Sequence, residues 1–129
     1  MKNEAIEVIK SNPFAVLATL NEDGSPHATP VGVSFDGTAF FWKSAPEAQH
    51  SRNIDRDPRV ALSIIEKSAE ANPRAVYIST RAEATGKHAV DPKWNKNVAE
   101  YRADLTEVDE AKTEPGRYYF KEQAQGETA

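Results

Sequence analysis

Phe41-Trp42-Lys43-Ser44-Ala45-Pro46-Glu47-Ala48-Gln49-His50-Ser51-Arg52-Asn53-Ile54 joins two kinds of local structure. It opens as an apolar, aromatic strand end. From Ser44 the pattern predicts a short helix: Ser44 and Glu47 have the spacing of a capping box, and Pro46 suits a first turn, where amides lack helical partners. Ala45, Ala48 and Ile54 are the helix's only apolar residues. A scaffold helix shows an apolar stripe at a spacing of about 3.6 residues. Here Gln49, His50, Ser51, Arg52 and Asn53 stand in its place. An aromatic strand end, a lysine, a helix start and a run of donors therefore converge, which is the chemistry of an anion or phosphate site beside a flat ring. A solvated surface helix with a good cap is the competing reading.

Upstream, Asn3 to Ser11 predicts a short amphipathic helix, with Ile6 and Ile9 apolar, Asn3 as N-cap and Pro13 as the stop. Phe14 to Leu20 reads as a strand and Asn21 to Ser25 as a turn with an Asp-Gly signal. His27 to Phe35 alternates: Val31, Val33 and Phe35 on one face, the small residues Ala28, Pro30, Gly32 and Ser34 on the other. Asp36-Gly37 turns the chain into a third strand, Thr38 to Lys43.

Downstream, Arg56-Asp57-Pro58 stops the helix and Arg59 to Ile65 is a strand. After the polar loop Glu66 to Asn72, Arg74 to Thr85 reads as a long strand ending at Gly86, which Lys87 to Val90 is able to extend. Trp94, Val98 and Tyr101 have helical spacing and predict a helix from Asp91-Pro92 to about Ala103, packed on the barrel. Asp104 to Glu114 is acidic and irregular, Arg117 to Lys121 is a last strand, and residues 123–129 are expected to form a flexible tail. Six antiparallel strands with two inserted helices predict a mainly β fold, a small closed or split barrel.

Composition narrows the function. A chain of 129 residues, 39% hydrophobic and 28% charged, supports one globular domain over 1–129. Net charge −4 argues against a broad nucleic-acid footprint. The lack of cysteine excludes thiolate metal sites and cysteine nucleophiles, and agrees with a cytoplasmic location. No apolar run has the length of a membrane span, and Met1-Lys2-Asn3-Glu4 does not open a signal peptide. His27, His50 and His88 lack metal-ligand spacing, so no metal is expected.

Leu17-Ala18-Thr19-Leu20, Asp23-Gly24-Ser25-Pro26-His27, Pro30-Val31, Phe40-Phe41-Trp42, His50-Ser51-Arg52-Asn53-Ile54 and Asp57-Pro58-Arg59-Val60-Ala61-Leu62 follow one another in this order. That ordered set, from Phe14 to Gly86, resembles the pyridoxamine 5'-phosphate oxidase-like, FMN-binding split-barrel family. The resemblance implies a six-stranded antiparallel split β-barrel of Greek-key type, forming a homodimer with a flavin in each groove between subunits. Such relatives include pyridoxamine phosphate oxidases, flavin reductases, deazaflavin (F420)-dependent reductases and haem-handling proteins, so the fold alone does not choose among them.

The resemblance also assigns residues. Relatives often hold the flavin phosphate with Arg and Lys on the second strand, where this chain has Thr29 and Ser34; their Ser-Arg-Lys run reads Ala48-Gln49-His50 here. Lys43, His50 and Arg52 are the replacements, with Ser44 and Ser51 as hydroxyl donors. Thr29, Pro30, Val31, Gly32 and Val33 would line the ring edge through their backbone, Trp42 would sit near the ring, and Arg81 would reach the flavin of the other subunit. On residue type alone, Lys43 is a solvated lysine, Trp42 a core residue and Asn53 an anchor of the helix to the barrel. The Arg-x-His segment of true pyridoxamine phosphate oxidases is missing. The expected function is an FMN-dependent oxidoreductase acting on a small-molecule substrate, with the cofactor rather than a catalytic side chain carrying the chemistry. The alternatives are an F420-dependent reductase on the same fold, or a flavin- or haem-binding module without turnover.

Overall fold

The computed structural model describes residues 2–112 and 114–122. The expected tail, 123–129, lies outside the described residues. The chain runs α1 (Lys2–Ser11), β1 (Phe14–Leu20), β2 (Pro26–Gly32), β3 (Ser34–Phe35), β4 (Ala39–Ser44), α2 (Gln49–Arg56), β5 (Arg59–Ile65), β6 (Ala75–Asp91), β7 (Lys96–Asp104), β8 (Glu107–Val108) and β9 (Arg117–Lys121). No helix among the described residues is long and apolar enough to cross a membrane.

Strand alternation sorts the side chains. Leu17, Leu62, Ile78 and Phe120 are register partners across β1, β5, β6 and β9, and none is more than 2% exposed. Burying side chains of this size stabilises the fold by about 1.5–3 kcal/mol each. One residue along, the register partners Ala18, Ala61 and Ser79 face outward. Helix α1 adds Ala5, Val8 and Ile9 to the core. Its phenolic neighbour Tyr118 donates to Glu4 Oε2 at 2.9 Å, tying the helix to β9.

The order β2-β1-β5-β6-β7-β4-β3 makes a mainly β, antiparallel split barrel. Strand β6 serves both halves. Its first part, to Arg81, pairs with β5, and from Ala82 it pairs with β7. The strand that opens at Pro26 changes partners too. It leaves β1 at Gly32, and after Val33 the short β3 pairs with β4. The β6–β9 pair is parallel, the exception to the antiparallel rule.

Three expectations fail. The helix from Asp91 to Ala103 is a hairpin. Asn95 takes φ +52° and donates its amide to Asp91 O at 2.7 Å, and Lys93 N donates to Asp91 Oδ1 at 2.9 Å. Trp94 therefore does not pack on the barrel; it is 65% exposed at the tip. Strand β7 fills the gap between β4 and β6, burying Ala99, Tyr101 and Ala103 at a period of two. With β7 and the two-residue β3 and β8, the strand segments exceed the six expected. Finally, Asn3 lies inside α1, which starts at Lys2, and so is not its N-cap.

Candidate functional site

The junction of β4 and α2 is built differently from the capping box that the sequence suggests. Ser44 ends β4 rather than starting a helix, and α2 begins at Gln49 after a turn closed by Ala48 N to Ala45 O at 3.0 Å. The N-cap is Ala48, with no side-chain cap. Ser44 Oγ instead meets His50 Nε2 at 2.7 Å, linking strand end and helix. Partial burial, helped by the nearby charge of His27, pushes the His50 pKa below 6.5. Burial thus disfavours the imidazolium, and the ring meets Ser44 as a hydrogen-bonding group.

Asn53 anchors α2, as its residue type suggested. It is fully buried, and its Nδ2 donates to Thr19 Oγ1 and Asn21 Oδ1, both at 2.9 Å. Its Oδ1 accepts from Gln49 Nε2 at 2.9 Å. Polar bonds to β1 thus hold a helix that has almost no apolar stripe. Arg52 is exposed and donates to Gln49 Oε1 at 2.7 Å, so it is engaged along α2 itself. Ser51 is fully buried, and its Oγ has no hydrogen-bond partner among the described residues.

Beside this junction lies a cleft of about 340 Å³ lined by Gly32, Ser34, Phe41, Trp42, Lys43 and Glu100. Of the residues read from the sequence, Gly32, Trp42 and Lys43 come together here, and Ser44 and His50 touch one another. Thr29, Pro30 and Val31 lie along β2, Val33 just past it; Val31 is buried, whereas Pro30 and Gly32 face outward. Trp42 is only 2% exposed and stacks on Tyr101 with ring centroids 6.1 Å apart. Its ring face belongs to the core. Lys43 is exposed, with no ion pair among the described residues.

Arg81 stands elsewhere. It is the register partner of Arg59, and its Nε donates to Glu122 Oε1 at 2.6 Å. It lines a separate cleft with Pro58, Arg102 and Asp104. Arg59 is in turn held by Asp57, whose carboxyl the guanidinium lowers from 3.8 to about 2. Sequence reading missed Glu100, which faces Lys43 across β4–β7, because the segment was read as helix. A period of two over Ala99, Tyr101 and Ala103 was the available signal.

The donors at the cleft suit an anionic, ring-bearing ligand in part. Lys43 is an available cation there, whereas the buried Ser51 hydroxyl does not line the cleft. Arginine and lysine are absent from β2.

The chain matches the family model described as pyridoxamine 5'-phosphate oxidase over residues 1–124. No curated protein matches it. Among solved structures it is similar to a heme-binding protein from Mycobacterium smegmatis, at 23% identity and TM-score 0.66, covering 78% of this chain and 49% of that one. This chain thus spans about half of that relative's length. A FAD-binding protein from Mesorhizobium loti is similar at 16% identity and TM-score 0.63, covering 80% of this chain and 88% of that one. A structure named F420 reductase aligns at 22% identity and TM-score 0.55, covering 72% and 88%. These identities speak for the fold; the family match over nearly the whole chain says more, and by it the chain belongs to the pyridoxamine 5'-phosphate oxidase family.

Proposed function

We propose that this chain is an FMN-dependent oxidoreductase that works as a homodimer in the cytoplasm, on a small-molecule substrate, with the flavin in the groove between subunits. One observation carries the reading. Phe14, Val16 and Ile65 are 60%, 45% and 54% exposed on β1 and β5, and Phe14 is the register partner of Gly32, which lines the 340 Å³ cleft. The apolar face and the cleft are therefore continuous. A second copy seated on Phe14 would complete the wall of the cleft, and apolar patches of this kind mark interaction surfaces. Family membership and neighbours named for FAD and F420 support a flavin-type ligand.

Bound flavin supplies the hydride or electron transfer. The residues' share is binding and orientation. Lys43 draws the anionic part of the ligand, the outward backbone around Pro30 and Gly32 borders the ring, and the His50–Ser44 pair fixes the strand end. Trp42 acts from beneath, through the rigidity of its stack on Tyr101. A ring-binding module without turnover is the second reading, favoured by Thr29 and Ser34 at the places where relatives often carry cations.

The visible absorption spectrum of the purified protein, with mass identification of any released chromophore, tests the proposal. FMN released from a yellow protein that is reduced by a nicotinamide or deazaflavin donor supports it. A colourless protein that ignores FMN at micromolar concentration and takes up haem or F420 would overturn it.

A further inference from the structure

We infer that the β6–β7 ribbon, residues 87–98, is an arm that docks on a second copy of this chain through Trp94 and the lysines around it. The identity of the partner rests on the homodimer of the proposed function; the arm rests on geometry and charge.

Strand β4 accompanies β7 only as far as the Ser44–Ala99 pair. From His88–Ala99 to Asp91–Lys96, among the described residues, β6 and β7 pair with each other alone. Every residue from Gly86 to Asn97 except Asp91 is exposed. A bare two-stranded hairpin is marginally stable in water. The tip is nevertheless fixed by its own bonds, since Asp91 O and Oδ1 accept from the amides of Asn95 and Lys93 at 2.7 and 2.9 Å. On this fixed turn Trp94 is 65% exposed, with Val90 at 56% behind it. Lys93 Nζ lies 5.1 Å from the Trp94 ring centroid, so indole and cation are presented together. Tryptophan is among the residues that most often anchor protein interfaces.

The charge of the ribbon is opposite to that of the chain. Residues 87–98 hold Lys87, Lys93 and Lys96 against one carboxylate, Asp91. None of these lysines forms an ion pair among the described residues. The whole chain carries −4, so the remainder is the acidic part, and a second copy offers the ribbon a complementary surface. Three lysines fall short of the cluster of about four to eight that marks a lipid-binding segment.

Position favours the same partner. By alternation, Ala89 and Val98 share the sheet face of Lys43 and Glu100, which line the 340 Å³ cleft. A copy that covers this cleft from Phe14 meets the ribbon along one continuous face.

Sedimentation equilibrium and acrylamide quenching of tryptophan fluorescence test this in the full chain. Trp42 is 2% exposed, so quenching reports on Trp94. Quenching in the parent should fall as rising concentration brings chains into dimers. Trp94→Ala should raise the dimer dissociation constant at least about tenfold while the separated chain stays folded. Lys87→Gln, Lys93→Gln and Lys96→Gln together should weaken the dimer and flatten its dependence on salt. A dimer split by Trp94→Ala but intact in Phe14→Lys would keep the arm and remove the seating on Phe14. A dimer indifferent to both ribbon variants would overturn the arm and leave the homodimer standing. A parent chain that stays monomeric would overturn both, and a Trp94 shielded only by phosphatidylglycerol vesicles would overturn docking on a second copy.

Discussion

Replacing Asn53 by alanine should loosen the barrel at the site more than any other single change on α2. The side chain is fully buried and makes three hydrogen bonds of 2.9 Å, to Thr19, Asn21 and Gln49. Net contributions run about 0.5–1.5 kcal/mol per bond, and partners stranded in the interior add to the cost. Thr19 is itself buried. The expected loss is about 2–4 kcal/mol. With a urea slope of roughly 1–3 kcal/mol per molar for a small protein, the midpoint should fall by about 1–2 M at an unchanged slope. Asn53→Asp should also destabilise, because a carboxylate keeps the acceptor for Gln49 but cannot donate to Asn21 Oδ1. Urea unfolding followed by tryptophan fluorescence is a suitable assay, since Trp42 lies in the core. A loss below about 0.5 kcal/mol for Asn53→Ala would refute the claim that polar bonds, rather than apolar packing, hold α2.

Other outcomes follow from the same geometry. His50 has a folded pKa below its unfolded 6.5, so the stability gained from its neutral form is complete above pH 6.5 and is lost as pH falls through the folded value. Thermal unfolding across that window should depend less on pH in His50→Gln than in the parent. Phe14→Lys or Val16→Lys, on the exposed apolar face, should leave monomer stability within about 0.5 kcal/mol but weaken self-association, measured by dilution in light scattering. Trp94→Ala should likewise change stability by less than about 0.5 kcal/mol, whereas Trp42→Ala should cost about 3–5 kcal/mol.

Much of the barrel is legible in the sequence where local chemistry and tertiary need agree. The Asp23-Gly24 and Asp36-Gly37 turns are such places: both glycines take positive φ, at +86° and +102°, which other residues rarely adopt. The failures arise where the two signals compete. Trp94, Val98 and Tyr101 share a helical spacing, yet the open edges of β4 and β6 claim the segment as a strand, and Pro92 opens a turn instead of a helix. Ser44 and Glu47 fit a capping box, but Ser44 pairs with Ala99 as the last residue of β4, and its hydroxyl goes to His50. Lys43 was found because it sits beside the aromatic strand end. Glu100 was not, since its place beside Lys43 depends on β7 pairing with β4. The bond of Arg81 to Glu122 follows from the parallel docking of β9, which no local pattern announces.

The central claim is that a flavin completes its site only between two copies of this chain. Sedimentation velocity, with the boundary followed in the flavin's visible absorption band after FMN is added, tests it most directly. The account predicts a coloured boundary moving at the rate of a dimer, and loss of colour from the protein boundary when Phe14→Lys separates the subunits. A coloured monomer, or a colourless dimer that leaves the added FMN behind, would contradict it.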